Sequence, residues 1–353
     1  MAGIERVCIS VNSVCNLKCT YCYFFLKPDH LPGPGALSCA EIGVILDNVQ
    51  RYGRRPAADK PIKVNFVGSG EPLIHWREIR DAIKNLNSTI PDHSLRFYTV
   101  TNGLLLNDQV VGEMKALDLK PSVSLDGPEW MHDRTRLRHN GRGSHRAVMR
   151  GIAALRRAGV EIAINTTLNR DVINHLEAYF DFIEEAGFSK IIFDRLVDVP
   201  AEHSVSTAEF YRALQDIASI KERRRLDSVE IGNLEAYRRA IAGRPDRVCT
   251  MFGSTCGSGF HNIIYMQREV YPCGRMFGQQ QWVLGRFDEP LELFPKRMAA
   301  KIGSAGCTGE APEETAGPDC LIERLRDDYD GSERREFVGW FRGQSQLSGC
   351  RSD

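Results

Sequence analysis

RVCISVNSVCNLKCTYCYFF, residues 6–25, runs a β-branched apolar stretch straight into a loop with cysteines at 15, 19 and 22. A strand that ends in clustered thiols puts them at a sheet edge, where α/β proteins collect functional side chains. Four thiolates close a tetrahedral metal site, whereas three thiolates on a cubane iron–sulfur cluster leave one iron open to a further ligand. A zinc knot would have to borrow His30 or Cys39, and the x3, x2 spacing differs from the paired C-x2-C of common zinc sites.

Outward from that stretch, strand-like runs alternate with helical patterns. IKVNFVG (62–68), LRFYTV (95–100), PSVSL (121–125), EIAINTT (161–167) and KIIFDRLV (190–197) read as further strands. Amphipathic stretches over 39–53, 76–90, 107–118, 145–159, 172–187 and 208–225 read as the helices that follow them. Such alternation predicts a parallel sheet with helices outside it, doubly wound or curled toward a barrel. Polar segments punctuate the strand ends: the cysteine loop, GSGEP (68–72), TNG (101–103), SLDGP (124–128), TTLNR (166–170) and DRLVDVP (194–200). All fall at or near strand C-termini, which predicts one ligand site facing six strand ends.

A chain of 353 residues has room for one domain of roughly 200–250 residues plus an appendage. Lys and Arg (46) balance Asp and Glu (46), so there is no basic field for general nucleic-acid binding. No apolar stretch approaches a membrane span, and MAGIERVCISV lacks the pattern of a secretory signal, so a cytoplasmic protein without a membrane partner is expected. In a reducing compartment eleven cysteines point to metal rather than to disulfides. Beyond the first three they gather late, as Cys249, Cys256, Cys273, Cys307, Cys320 and Cys350. Cys8 and Cys39 stand apart and read as small buried residues, and Cys350 as a free thiol near the terminus.

CNLKCTYCY (15–23) resembles the C-x3-C-x-aromatic-C signature of radical S-adenosylmethionine (radical SAM) enzymes. The six-unit middle resembles their partial (β/α)6 TIM-type barrel. The resemblance implies that Cys15, Cys19 and Cys22 ligate a 4Fe-4S cluster whose open iron binds S-adenosylmethionine. One electron passed into the sulfonium would then yield a 5'-deoxyadenosyl radical able to take hydrogen from an unactivated carbon. It also implies that Tyr21 packs near the adenine and that backbone around Tyr23 reads the exocyclic amine. GSGEP resembles the family's GGEP segment with Ser69 in place of a glycine, so Gly70 and Glu71 would meet the methionyl amine. Ser124, Asp126, Asn165 and Arg195 are candidates for the ribose and carboxylate contacts, although Asp126 also reads as a turn residue before Gly127 and Pro128.

The pattern SLDGP...HD..R, within residues 124–136, resembles the peptide-modifying branch with a cysteine-rich C-terminal extension called SPASM or twitch. CTMFGSTCGSGFHNIIYMQREVYPC (249–273) resembles the hairpin that flanks an auxiliary cluster there, with Arg268 where the family prefers a turn glycine. This implies a radical SAM partial barrel over 1–228 and a SPASM/twitch-like iron–sulfur domain over 229–353. Six tail cysteines cannot supply eight thiolates, so one auxiliary 4Fe-4S cluster is expected. Its ligands would be Cys256, Cys273 and Cys320, with Cys249 or Cys307 as the fourth, and a structural zinc is the alternative.

The implied function is a maturase that oxidatively crosslinks a ribosomally synthesised peptide. The runner-up is a peptide epimerase in which Cys249 or Cys307 returns a hydrogen atom, and a third reading is a small-molecule dehydrogenase. A non-catalytic iron–sulfur carrier would not need polar groups at six strand ends. Expected partners are the precursor peptide and a one-electron reductant such as flavodoxin or ferredoxin. Because the cluster motif begins close to residue 1, leader recognition would use the barrel surface, the tail or a separate protein.

Overall fold

Strand β1 (Arg6–Ser10) leads through the cysteine loop into the short helix α1 (Tyr23–Leu26). Then come α2 (Cys39–Gly53), β2 (Ile62–Val67), α3 (Trp76–Thr89), β3 (Leu95–Thr101), α4 (Asp108–Ala116) and β4 (Leu119–Ser124). The series continues with α5 (Glu129–Thr135), α6 (His145–Arg157), β5 (Ala163–Leu168), α7 (Arg170–Asn174), α8 (Leu176–Ala186) and β6 (Lys190–Arg195). It closes with α9 (Thr207–Arg223), β7 (Glu230–Ile231) and α10 (Gly232–Ile241). This computed structural model describes residues 3–26, 35–53, 61–197, 199, 203–245, 247–304, 320–324 and 330–349. Cys307 and Cys350 lie outside the described residues.

Strands β1 to β7 are parallel neighbours in chain order, as the alternation predicts. The sheet stays open, with β7 at one edge. Period-two burial separates its faces: Val7, Ile9, Phe66, Phe97, Val123 and Phe193 are buried in the helix-covered core. Their alternates lie on the opposite face and include the polar Ser122, Asn165 and Asp194, where a closed barrel would be packed with aliphatic side chains. Helix starts follow side-chain capping, as at Asn107 for α4 and in the Ser206–Glu209 box of α9. The helix expected over 172–187 is broken. Asn169 caps an earlier start at Arg170, and the backbone of His175 (φ −134°, ψ 37°) leaves the helical region between α7 and α8.

The chain then returns to the first strand. After β8 (Arg247–Val248) and β9 (Thr255–Cys256), strand β10 (Asn262–Met266) pairs in parallel with β1, from Arg6 opposite Asn262 to Ser10 opposite Met266. Strands β11 (Glu269–Tyr271) and β12 (Gly285–Arg286) extend the sheet outward, and α11 (Leu293–Ser304), α12 (Leu321–Arg324) and α13 (Ser332–Gly349) follow. Helix α13 is held on α9 and α10 by Phe337, whose ring lies 5.0 Å from Tyr211 and 4.9 Å from Tyr237. At the β10–β11 turn the left-handed backbone falls on Gln267 (φ 57°), one residue before Arg268. Gln267 is anchored through its side chain to the Gly35 carbonyl (2.9 Å), and Arg268 reaches Glu41 (2.6 Å).

Candidate active site

Three strand ends build the cysteine loop. Asn12, just past β1, accepts from the Val14 amide (2.9 Å) and donates to the Glu71 carbonyl (2.9 Å), while the Glu71 amide donates to the Val14 carbonyl (2.8 Å). A Cβ on Gly70 would sit 2.1 Å from the Val14 oxygen and 2.3 Å from Asn12 Oδ1, so only glycine lets GSGEP lie against the loop. Ser69 occupies its glycine-preferring position by bonding back to β1: its amide donates to Ser10 Oγ (3.0 Å) and its hydroxyl to the Asn12 carbonyl (3.1 Å). The Glu71 carboxylate accepts from Thr101 Oγ1 (2.6 Å) and from the amides of Asn102 (2.7 Å) and Leu73 (3.1 Å). Burial pushes this carboxyl up to about 7 against the pull of those donors. Its side chain therefore fastens the β2 loop to the end of β3.

The three cysteines are half-buried. Cys15 Sγ accepts from the Leu17 amide (3.4 Å) and Asn102 Nδ2 (3.7 Å), and the Cys22 amide closes a turn onto the Cys19 carbonyl (3.1 Å). Tyr23 opens α1, whose first turn hangs from the Cys22 carbonyl through the amides of Phe25 and Leu26 (both 3.0 Å). Burial pushes the Cys15 thiol up to about 11 and Cys19 to about 12, and the charge of Cys22 raises both while that of Cys15 also raises Cys19. Thiolates held this way require positive charge among them, which a metal cluster supplies. Among the described residues no three His, Cys, Asp or Glu side chains crowd closely enough to share a single ion. A cubane takes each thiolate on a different iron and has no need of such crowding.

Beside the loop lies a buried network around Asp126, whose exposure is 0 %. Arg136 binds it through two contacts (Nε–Oδ2 2.8 Å, Nη2–Oδ1 3.2 Å), Tyr21 donates its hydroxyl (2.5 Å), and the Thr167 amide donates to Oδ1 (3.0 Å). Burial raises the Asp126 carboxyl, but the charge and hydrogen bonds of Arg136 outweigh it and hold the group below its ordinary value. The Arg136 guanidinium also lies over the Tyr21 ring at 5.5 Å. His132 sets the geometry: its Nδ1 accepts from the Asp126 amide (3.2 Å), and Nε2 meets Ser144 Oγ (2.9 Å), which donates to the Arg136 carbonyl (2.6 Å). Burial drives the His132 ring down to about 3, consistent with a neutral imidazole that accepts at Nδ1 and donates at Nε2. Tyr21 and Asp126, read separately from the sequence, are thus one unit. The residue missed was Arg136, whose signal was the final position of HD..R.

The other sequence candidates divide. Ser124 ends β4 in register with Asn165, and Asn165 Nδ2 donates to Asp194 Oδ2 (3.0 Å) while its Oδ1 accepts from Ser122 (2.5 Å). Burial pushes Asp194 up to about 6. Arg195, a candidate for the ribose and carboxylate contacts, donates from its guanidinium to Glu323 (2.8 Å), Thr207 Oγ1 (2.7 Å) and the Val205 carbonyl (3.4 Å). It belongs to the junction with the C-terminal segment.

That segment gathers the later thiols. Cys249 follows β8, Cys256 ends β9, Cys273 follows β11 and Cys320 precedes α12. Burial raises the Cys249 thiol, and the charges of Cys256, Cys320 and Cys273 raise it further. Burial likewise takes Cys273 to about 12, with Cys320 and Cys256 adding to it. The four thiols thus feel one another's charge, with Cys256 and Cys320 buried and Cys249 and Cys273 half-buried, and none of the nine described cysteines is in a disulfide.

A three-thiolate loop at the mouth of an open parallel sheet defines the class. The model of the radical SAM superfamily matches residues 9–183, and the chain belongs to that superfamily, which implies a 4Fe-4S cluster and S-adenosylmethionine. It is homologous to the cysteine-type anaerobic sulfatase-maturating enzyme of Clostridium novyi, 25% identical over 311 residues, 83% of this chain and 80% of the relative. The structure of native anSMEcpe with bound AdoMet superposes with a TM-score of 0.77 at 17% identity, covering 99% of this chain and 100% of that one. Streptococcus suis SuiB bound to precursor peptide SuiA gives 0.61 at 14% identity, covering 83% of this chain and 65% of SuiB. The protein is a radical SAM enzyme. None of its described helices is long and apolar enough to cross a membrane.

Proposed function

We propose that the enzyme removes two hydrogens from a ribosomally synthesised peptide and closes a crosslink between two of its side chains. The observation that supports this reading is that Cys249, Cys256, Cys273 and Cys320 lie near enough for their charges to act on one another. Four thiolates suit one auxiliary 4Fe-4S cluster, with residues 229–353 as the unit that holds it and Cys249 as its fourth ligand. A hydrogen atom taken from the substrate leaves a radical, and formation of the new bond releases one electron and one proton. An auxiliary cluster is a destination for that electron, as a net oxidation requires and an epimerisation does not. Cys249, drawn into the four, is a poor free hydrogen donor. A flavodoxin or ferredoxin would supply the electron that starts each turnover.

A second reading, maturation of a partner protein at a single residue without a crosslink, is favoured by the similarity to a cysteine-type anaerobic sulfatase-maturating enzyme. Mass spectrometry of the product separates them. A crosslinked peptide is lighter by about two mass units and loses backbone fragments between the joined residues, whereas maturation at a single residue leaves the fragment ladder intact. A mass-neutral product that takes up deuterium from solvent would instead establish epimerisation. Anaerobic metal analysis tests the cluster itself: about eight irons per chain are expected, falling to about four in Cys256→Ala and Cys273→Ala. About four in the wild type, with zinc present, would replace the auxiliary cluster by a structural ion.

A further inference from the structure

Arg275 sits in the turn Gly274–Met276, two residues beyond Cys273, and its Nη1 lies 3.1 Å from Cys320 Sγ. Glu323, one helical turn past Cys320, stands 3.7 Å from that same nitrogen and 2.8 Å from Arg195 Nη1. The three charged side chains are 12 %, 9 % and 11 % exposed, so solvent screens them little. A line of alternating charge thus runs from the Cys320 sulfur through Arg275 and Glu323 to Arg195, the last residue of β6. Apolar packing of similar volume would hold such a junction at least as well as buried ions do, so stability alone does not account for two arginines and a glutamate there.

We infer that Arg275 is a positioning residue that raises the reduction potential of the auxiliary cluster through the Cys320 thiolate, and that Glu323 moderates the effect. The inference rests on the auxiliary cluster of the proposed function. Reduction adds one negative charge to the cluster. A guanidinium hydrogen-bonded to a ligand sulfur stabilises the reduced state more than the oxidised one. A nearby carboxylate does the opposite, and by pairing with Arg275 it also offsets part of the cation's charge. The electron has a defined source: the substrate radical gives it up with a proton as the crosslink closes, so one oxidised cluster is reduced per bond. The tie from Glu323 to Arg195 fixes Glu323 relative to the β6 strand end.

The test is an anaerobic redox titration of reconstituted full-length protein followed by EPR, with the cluster at Cys15, Cys19 and Cys22 as internal reference. Arg275→Gln should shift the auxiliary one-electron equilibrium at least tenfold toward the oxidised form, about 59 mV, and leave the reference cluster in place. Arg275→Lys, which keeps the charge, should recover most of that shift. Glu323→Gln should move the equilibrium the other way, a reversal that a merely structural role would not produce. Should Arg275→Gln lose the auxiliary iron, the Glu323→Gln titration decides alone. About eight irons with an unmoved auxiliary potential in Arg275→Gln, or an unmoved or lowered one in Glu323→Gln, overturns the inference and spares the cluster. About four irons and no second signal in the wild type overturns the cluster reading, and the inference falls with it.

Discussion

Replacing Arg136 with leucine leaves Asp126 fully buried with its counter-charge gone. Two contacts are lost, at 2.8 and 3.2 Å, and only the Tyr21 hydroxyl and the Thr167 amide still serve the carboxylate. Removing one partner of a buried pair costs about 3–5 kcal/mol, a large part of the roughly 5–15 kcal/mol that holds a typical domain folded. The pH dependence carries the sharper signature. In the wild type the folded Asp126 titrates below its unfolded value of about 3.9, so its contribution is present above that pH and lost as pH falls through the folded pKa. In Arg136→Leu burial acts without the compensating cation and the folded pKa rises above the unfolded one. The variant's deficit should therefore be largest at neutral pH and shrink toward about pH 4. Urea denaturation of the anaerobic protein at several pH values measures both effects. Asp126→Asn combined with Arg136→Leu should recover about half or more of the loss, since no unpaired charge remains buried. A single Arg136→Leu variant within about 1 kcal/mol of wild type, with an unchanged pH profile, would refute this account of the network.

Two further perturbations report on the same region. His132, neutral in the fold down to about pH 3, is protonated in the unfolded chain below about pH 6.5, so it costs the wild type stability as pH falls through that window. His132→Gln should flatten the denaturation profile there by up to about 1.4 kcal/mol per pH unit, and an unchanged slope would show that the ring is charged in the fold. Gly70→Ala forces a Cβ to within 2.1 Å of the Val14 carbonyl oxygen, which only movement of the cysteine loop can relieve. A loss of about 1–3 kcal/mol is expected, together with depletion of the iron bound at Cys15, Cys19 and Cys22, measured by thermal unfolding and metal analysis.

Local signals carried much of this in the sequence. The helix over 39–53 and the strand beginning at Leu95 are legible because amphipathic period and turn residues act within a few positions. The break at His175 was hidden because apolar spacing runs on through it, while the competing cap at Asn169 lies just upstream. The pairing of β10 with β1 joins residues 256 positions apart, and nothing in NIIYM identifies its partner or direction. Arg195 shows the same limit, since nothing at the strand end announces its bond to Glu323, 128 positions later. The glycines and cysteines were legible for a different reason, since close backbone approach and thiolate ligation admit few other residue types. Arg136 lay in between, visible in the HD..R spacing but without a role until the fold brought it against Asp126 and Tyr21.

The central claim is that Cys15, Cys19 and Cys22 hold the cluster that cleaves S-adenosylmethionine. Anaerobically reconstituted wild type and Cys19→Ala, each given dithionite and S-adenosylmethionine, should differ completely in the formation of 5'-deoxyadenosine: steady production by the first and none by the second. Production by Cys19→Ala at the wild-type rate would contradict the claim.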